Sequence, residues 1–469
     1  MQNAELVLAI LRDKSKENPN CKFKRLYRYL FNKDFYVKAY CQIYSKKNHI
    51  TEAINKDTID SFGVENIDKL IKELKNETYY PQKVKNQCAT SKNSKKIHTE
   101  ISSFYDKLVQ QVIREILEAI YEPNFNDNSH GFRSSKSCHT ALNQIKTTCK
   151  EANWVLVGEV ENNFNNINYA AIINLLTNKI DDGRFIELIK RFLISGYMEE
   201  KKGYKTWSET PQMEIIASIL SNIYLNELDK YIDKNYPKVV YVRYVYRFLI
   251  FVPGTKNLAE EIKDHIVEFL NEDLKIKSSK EKILITSLND KRIKFLGYEI
   301  SKSKENSNNN DVNGINSSIA NGKIQLLVPS KVIKEKIKPF VLNKKSIYHN
   351  LRINLPEIDI ISQYNSEIRG MYNYYCLAND VSSKVGKFKF YHYYSLAKTI
   401  ATKEQISVKQ VIEKYGVEVP RKEGTGTKRI IGMQCTDQNG TKKLTYFNEP
   451  LTKQDKPLID VSDIIEGFK

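Results

Sequence analysis

The chain has 469 residues, of which 41% are hydrophobic, enough for two or three domains with their own cores and too many for a disordered protein. Its 74 lysines and arginines outnumber 56 acidic residues and give a net charge of +18, which makes a polyanion the expected partner. No apolar run approaches the roughly 20 residues of a membrane-spanning helix, so we expect no membrane partner.

The seven cysteines are odd in number and scattered, and none forms a CxxC pair. This usage predicts free thiols in a reducing compartment and no zinc or other metal site. The N-terminal stretch "MQNAELVLAILRDKSKENPN" has neither a secretory layout nor the acid-poor character of a transit peptide. Together with the high Asn, Lys, Ile and Tyr content of an AT-rich genome, it leads us to expect a protein made inside an organelle.

The first part of the chain, residues 1–80, is predicted to be helical. The segments "AELVLAILRDK", "FYVKAYCQIY" and "VENIDKLIKELKN" each place apolar residues three and four apart. Basic residues are interleaved with aromatic ones between these segments, a pattern that is consistent with a solvated face over a core and also with an RNA-facing surface.

The middle of the chain alternates helices and strands. A strong amphipathic pattern, "YDKLVQQVIREILEAIY", ends at Pro123, and the segments "WVLVGEV", "VVYVRYVYRFLIFV" and "KILITSL" each predict one strand between further helices. Residues 301–322 are rich in turn formers and predict a flexible linker. Helical patterns return after it, and residues 417–469 predict short strands or a loose tail. The expected fold class is therefore α+β.

In this order the segments resemble the reverse transcriptase and maturase proteins encoded by group II introns. The resemblance runs from about Asn3 to Gly416. Its most specific blocks are "LVQQVIREILEAIYEPNFNDNSHGFRSSKSCHTAL", "SNIYLNELDKYI", "IKFLGYEI", "IISQYNSEIRGMYNYYCLAND" and "YSLAKTIATKEQIS".

The resemblance implies a right-hand architecture of fingers and palm followed by a helical thumb and maturase domain X. The boundaries that we predict are residues 1–80 for a helical fingers extension, 81–300 for fingers and palm, 301–322 for the linker, 323–355 for the thumb, 356–416 for domain X and 417–469 for the tail.

The resemblance also locates the polymerase site, where two metal ions would need carboxylates on adjacent strands. The family's first aspartate falls at Glu159, its neighbour at Asn165, and the paired aspartates at Tyr246 and Arg247. A phenol and a guanidinium do not ligate magnesium. At an effective dielectric constant of about 20, the Arg247 cation would add about 4 kcal/mol of repulsion per unit charge at about 4 Å.

Neighbouring motifs of the family are altered as well. Its "PQGG" turn reads "PQME", which puts Met213 and Glu214 where no side chain is expected, and its fingers arginine falls near Ile97. We therefore expect no polymerase activity, no bound metal and no cofactor. After residue 400 there is one cysteine and no histidine, so we also expect neither DNA cleavage nor a DNA partner.

What the resemblance leaves is an RNA-binding protein. We predict contacts with RNA phosphates from Arg369, Lys398 and Lys403, and base stacking by three tyrosines, Tyr374, Tyr375 and Tyr393, about half of which should instead be core. The predicted function is that of a maturase that promotes splicing of a group II or group III intron, with intron RNA as partner. The alternatives are an active reverse transcriptase using Glu159 with other acids such as Asp229 or Asp233, and a structural RNA-binding protein. The expected compartment is a plastid, with the mitochondrion as the alternative.

Overall fold

The computed structural model describes residues 3–45, 63–82, 85–90, 96–101, 103–149, 152–160, 169–195, 215–276, 278–303, 323–421, 426–437 and 440–458. The chain divides into two compact units. The first comprises Met1–Arg133, Leu156–Leu249 and Asn257–Leu284, and the second comprises Ser134–Val155, Ile250–Lys256 and Ile285–Lys469. Most of the linker predicted at 301–322 lies outside the described residues.

The helices follow the sequence pattern closely. In chain order they are α1 Ala4–Glu17, α2 Lys33–Ser45, α3 Val64–Lys75, α4 Phe104–Tyr121, α5 Cys138–Thr148, α6 Tyr169–Lys179, α7 Gly183–Ser195, α8 Ala217–Asn235, α9 Lys256–Glu272, α10 Ser330–Ile337, α11 Glu357–Tyr375, α12 Val381–Glu404 and α13 Val408–Tyr415.

In the parts of the chain that the structure describes, the strands form six sheets of two to five strands each. In chain order they are β1 Phe23–Lys24, β2 Lys85–Thr90, β3 Lys96–Ile101, β4 Ser129–His130, β5 Trp154–Glu159, β6 Ile180–Asp181, β7 Val240–Tyr244, β8 Arg247–Val252, β9 Ile283–Ser287, β10 Ile293–Phe295, β11 Tyr298–Lys302, β12 Ile324–Leu327, β13 Val341–Leu342, β14 Lys345–Ser346, β15 Gly416–Pro420, β16 Thr427–Asp437 and β17 Gly440–Thr445. The largest sheet has the strand order β4-β7-β8-β5-β9. The α+β fold class is confirmed.

Helix α4 is the central element of the first unit. Ser103 caps its start by accepting the amide of Asp106, and Leu108, Val112 and Ile116 along one face are fully buried. Helices α1 and α2 both pack on it. Burial of such a continuous apolar stripe is what makes an 18-residue helix stable here.

The segment predicted as one strand, residues 239–252, is a hairpin. Strand β7 ends at Tyr244 and β8 begins at Arg247, with a turn between them. Behind it, Gly158 of β5 lies so close to Phe248 that a Cβ atom there would sit 2.1 Å from the ring, a distance no side chain tolerates. The close packing of β5 on β8 fixes the position of Glu159 relative to the turn.

The second unit is built around α11 and α12, which pack on each other. Gln405 ends α12 in the left-handed conformation with a φ of 56°, and Ser407 then starts α13 with a capping box. The C-terminal part, expected to hold short strands or a loose tail, contributes β15, β16 and β17, which pair as an antiparallel three-stranded sheet. Within the described ranges, no helix combines the length and apolar character that a bilayer crossing requires.

Candidate functional site

The turn between β7 and β8 carries Tyr246 and Arg247, the residues predicted from the sequence to stand at the positions of the family's paired aspartates. Val245 enters this turn with a φ of 55°, a left-handed conformation that β-branched residues rarely adopt. Its amide donates to the carbonyl oxygen of His130 in the neighbouring β4 at 3.0 Å. The turn is thus held through its backbone by an adjacent strand.

Arg243 holds the same turn from beneath. Its guanidinium forms a fork with Asp229 of α8, with Nε 2.7 Å from Oδ1 and Nη2 2.5 Å from Oδ2, and it also donates to Ser129 and to the carbonyl oxygen of Val245 at 2.8 Å. Tyr241 donates to the same carboxylate at 2.7 Å. Arg243 is 1% exposed and Asp229 is fully buried. The Arg243 guanidinium and the Asp229 carboxylate therefore hold the turn in place.

Glu159 and Arg247 face each other at the surface of this site. The Nε of Arg247 lies 3.3 Å from Oε1 of Glu159, and their side chains are 58% and 52% exposed. A guanidinium therefore sits beside the one carboxylate that remains at the aligned positions. A divalent metal ion needs anionic oxygen ligands, and Arg247 instead places a permanent positive charge at this position.

The exposure of this pair reduces the electrostatic penalty expected from the sequence. At more than half exposure, water screens the charge, and the interaction at about 4 Å is nearer 1 kcal/mol than 4 kcal/mol. Missing ligands therefore weigh more against metal binding than charge repulsion does.

Tyr246 is a neutral, structural residue at its position. Its hydroxyl shares a hydrogen bond of 2.7 Å with that of Ser221, and its carbonyl oxygen accepts the amide of Val160 at 2.9 Å. Burial raises the pKa of the phenol, so it stays protonated and offers no anionic oxygen. It ties the turn to α8 and to the end of β5.

The two acids considered as alternatives to the paired aspartates, Asp229 and Asp233, both have hydrogen-bonding partners of their own. Asp229 is bound to Arg243, and Asp233 accepts hydrogen bonds from the side-chain amides of Asn126 and Asn128. In the parts of the chain that the structure describes, no group of three histidine, cysteine or acidic side chains is arranged to hold a metal ion. Asn165, Met213 and Glu214 lie outside those parts. Ile97 lies in β3, where its backbone is opposite Ala89.

In the second unit, the side chain of Arg369 is exposed, as a contact with an RNA phosphate would require. Its guanidinium lies 3.1 Å from Glu449 and 5.6 Å from the centre of the Phe447 ring, and its side chain is 48% exposed. An exposed pair of this kind is weak, so the guanidinium can exchange its partner for a phosphate at little cost.

Lys398 and Lys403 have structural partners that the sequence did not indicate. The ammonium of Lys398 donates to the carbonyl oxygen of Ser346 in β14 at 2.7 Å. That of Lys403 donates to the carbonyl oxygen of Leu355 at 2.5 Å and lies 2.9 Å from Glu357, whose pKa it lowers through this hydrogen bond. Both lysines thus brace the chain against α12, and removing them would change packing as well as charge.

Burial excludes Tyr374 and Tyr375 as surfaces for base stacking, which corrects that prediction. They are 6% and 2% exposed, and their hydroxyls donate to the carbonyl oxygens of Leu296 and Gly297 in the turn between β10 and β11. Tyr393 is half-buried, and its hydroxyl accepts the amide of Ile431 at 3.4 Å. The three tyrosines hold the second unit together.

The exposed aromatic residues of α12 are Phe390 and Tyr394, which the sequence-based choice missed. They are 56% and 42% exposed, and their rings meet edge to face with centres 4.9 Å apart. A signal was present in the sequence: they lie four residues apart on the side of the helix opposite His392 and Leu396, which are fully buried. The position of each residue around the helix axis, and not its aromatic character, determines which side chains of α12 are exposed and which are buried.

A polar network joins α11, α12 and the segment after β17, with His392 and Tyr446 buried and Glu367 40% exposed. Glu367 forms a fork with Arg352 and lies 2.9 Å from Nε2 of His392, whose Nδ1 lies 3.0 Å from the hydroxyl of Tyr446. Burial opposes ionisation of Glu367, but hydrogen bonds from His392 and Arg352 outweigh it and lower its pKa to about 2. Burial lowers the pKa of His392. Through the contact between Tyr446 and His392, the network attaches the segment after β17 to α12.

Comparison with known families finds two matches along the chain. Residues 85–300 match the profile described as reverse transcriptase (RNA-dependent DNA polymerase), and residues 323–458 match the profile described as type II intron maturase. The second match includes the C-terminal strands as well as the helices α10 to α13.

Curated relatives extend the comparison to nearly the whole chain. The group II intron-encoded protein LtrA of Lactococcus lactis subsp. cremoris is 34% identical over 500 residues, covering 91% of this chain and 82% of its own length. A 91 kDa protein in the cob intron of Schizosaccharomyces pombe is 30% identical and covers 98% of this chain and 62% of its own length. The nuclear intron maturase 3, mitochondrial, of Arabidopsis thaliana is 28% identical over 41% of this chain and 30% of its own length. The chain therefore belongs to the family of group II intron-encoded proteins, in which a reverse transcriptase domain is followed by an intron maturase domain.

Proposed function

We propose that this protein is a maturase that binds a group II or abbreviated group III intron RNA and promotes its splicing, without reverse transcriptase or endonuclease activity. The observation that carries the proposal is the contrast between the two domains. The palm has Tyr246 in a structural hydrogen bond and Arg247 paired with Glu159, whereas residues 323–458 match the maturase profile, pack α11 on α12 and leave Arg369 exposed.

The mechanism leaves the chemistry to the RNA. A protein favours the active fold of an RNA only through a higher affinity for that fold than for its competitors. With a net charge of +18, this chain has the positive charge that phosphate contacts require. Residues of the second unit would orient the protein on the RNA by contacting phosphates, and bases that are not paired within the RNA helices.

The test is a splicing assay with purified protein. A precursor RNA containing the host intron is incubated at a magnesium concentration too low for efficient self-splicing, with and without protein. We expect the protein to raise the yield of ligated exons, and Glu159→Ala to retain this effect because the palm performs no step. If a folded wild-type protein binds the intron and leaves the yield unchanged, the proposal is wrong.

A second candidate is an active reverse transcriptase, which the match of residues 85–300 to that family favours. Primer extension on an RNA template separates the two candidates, because splicing support needs no nucleotide incorporation. Extension by the wild-type protein that is lost in Glu159→Ala would establish the second candidate. We expect neither extension nor a DNA partner.

We also propose that the protein works inside an organelle. The plastid was predicted from the resemblance to organellar maturases and the altered polymerase motifs, but the names of relatives favour a mitochondrion at least as well, since proteins from Arabidopsis thaliana and Marchantia polymorpha are named mitochondrial. Crosslinking the protein to RNA in purified plastids and purified mitochondria, followed by sequencing of the bound RNA, identifies both the compartment and the intron.

A further inference from the structure

Helix α12 presents an aromatic ridge to solvent, formed by Phe390 and Tyr394 with Lys387 one turn before them. Lys387 is also exposed, and the three residues lie at spacings of three and four, so their side chains share one face. Two aromatic rings this exposed lose the stabilisation that burial would give them. Their place beside a lysine is the arrangement that stacks on bases of single-stranded nucleic acid.

The side of α12 next to this ridge is positively charged. Lys389, which directly precedes Phe390, places its ammonium 5.0 Å from the centre of the Phe447 ring, and Arg369 of α11 lies over the same ring. The charged groups that face Lys389 are Lys428 of β16 and Glu449. Glu449 is shared with Arg369, its ion-pair partner.

This cluster has more positive charge than its acids neutralise. Among the described residues, no ion pair joins Lys389 or Lys428 to a carboxylate within 4.0 Å. Partial burial and the nearby Lys428 together lower the pKa of Lys389 to about 8, against the opposing effect of Glu449. A half-buried ammonium next to a second cation is unfavourable until an anion arrives, and a bound phosphate would relieve both effects.

We propose that α12 binds an unpaired nucleotide of the intron RNA, with the base stacked on Phe390 and Tyr394 and a neighbouring phosphate held by Lys389 and Lys428. This inference rests on the proposed function and specifies its ligand. The base must be unpaired because bases within a duplex already stack on each other and expose no face. The adjacent cations favour RNA over a second protein copy, which would bring an apolar surface against them.

The first test uses a single-stranded oligouridylate of twelve nucleotides and an RNA duplex of the same length as probes. Replacing both rings, in Phe390→Ala with Tyr394→Ala, removes the stacking surface. Loss of one stacked base typically weakens binding about 5-fold to 150-fold, so we expect at least a fivefold loss for the oligouridylate and a smaller loss for the duplex.

The matched control is Tyr348→Ala, because Tyr348 is 42% exposed, the same as Tyr394, and lies outside α12. It should leave oligouridylate affinity within about twofold of wild type. A second variant, Phe390→Leu with Tyr394→Leu, removes the rings but keeps apolar side chains of similar size, so it separates loss of stacking from misfolding. If it binds oligouridylate as wild type does, or if the alanine variant weakens both probes equally, stacking is excluded.

The second test uses pH to identify the phosphate contact. As pH rises from 7 to 9, Lys389 loses its proton, so wild-type affinity for oligouridylate should fall across this range. Lys389→Arg should bind with little change because arginine stays charged, while Lys409→Ala, an exposed lysine on α13, should keep the wild-type profile. Identical pH profiles for wild type and Lys389→Arg would overturn the assignment.

The result separates this inference from the proposed function. If splicing support persists in the alanine variant with unchanged RNA affinity, the ridge inference fails and the maturase proposal stands. If the wild-type protein neither binds nor assists the intron, both fail. If the variant changes the oligomeric state in sedimentation and not the RNA affinity, the ridge is a protein interface and the inference is wrong.

Discussion

Replacing Asp229 with asparagine removes the only anion that the structure shows at the buried guanidinium of Arg243. Arg243 is 1% exposed, and two of its hydrogen bonds, at 2.7 and 2.5 Å, go to this carboxylate. Breaking a buried ion pair by removing one partner leaves an uncompensated charge and typically costs about 3–5 kcal/mol. For a unit of this size, each kcal/mol lowers the melting temperature by about 2–4 °C, so we expect a decrease of roughly 6–20 °C.

Scanning calorimetry measures this change, and hydrogen exchange of peptides from residues 240–252 shows whether the β7–β8 hairpin opens first. The same hairpin supplies a control, because Glu159→Gln breaks the exposed pair with Arg247 and should cost less than about 1 kcal/mol. Replacing both buried partners, in Asp229→Leu with Arg243→Met, should recover most of the loss since no charge is left buried. If the melting temperatures of Asp229→Asn and Glu159→Gln differ by less than about 2 °C, then the buried ion pair does not anchor the turn.

Four further outcomes are expected. Restoring aspartate at Tyr246 and Arg247 together should still give no primer extension, and any incorporation would show that the defect is confined to the turn. Binding to intron RNA through six to ten phosphates should weaken about 10³-fold to 10⁵-fold between 50 and 200 mM salt, whereas a flat response in a filter-binding assay would contradict the phosphate-contact argument. Because burial lowers the pKa of His392, the unfolded chain binds a proton that the folded unit does not, so stability should fall as pH drops below about 6.5, with a shallower dependence in His392→Gln when urea midpoints are compared. Gly158→Ala should destabilise the first unit by about 1–3 kcal/mol and so lower its melting temperature, since the added Cβ would meet the buried Phe248 ring, and an unchanged melting curve would show that β5 can shift.

The helices and most strands were predictable because the signals that specify them lie in neighbouring residues of the sequence. Apolar residues repeat every three to four positions in α4, and its cap at Ser103 and Pro123 beyond its end mark its limits. The β7–β8 hairpin was predicted as one strand because Val245 and Tyr246 carry none of the glycine, asparagine or proline signals of a turn. That turn depends on Arg243 and β4, which are contacts the local sequence does not contain.

The candidate RNA surface was predicted by composition and only partly by position. Arg369 is accessible as expected, but the tyrosines with the strongest motif resemblance, Tyr374 and Tyr375, are buried against the β10–β11 turn. Burial of an aromatic residue depends on which neighbours cover each helix face, and α12 carries aromatic residues on several faces. The elements packed on α12, namely α10, α11, α13 and β14, leave Phe390 and Tyr394 exposed.

The anchor beneath the β7–β8 turn bears on how such a protein can change over evolutionary time. Arg243, Asp229 and the carbonyl oxygen of Val245 hold the hairpin without using the exposed side chain of Arg247 at its tip. Substitutions at position 247 can therefore accumulate without unfolding the domain, once selection no longer maintains polymerisation. A scaffold whose shape and chemistry depend on different residues can lose the chemistry by drift and continue to be inherited for its shape.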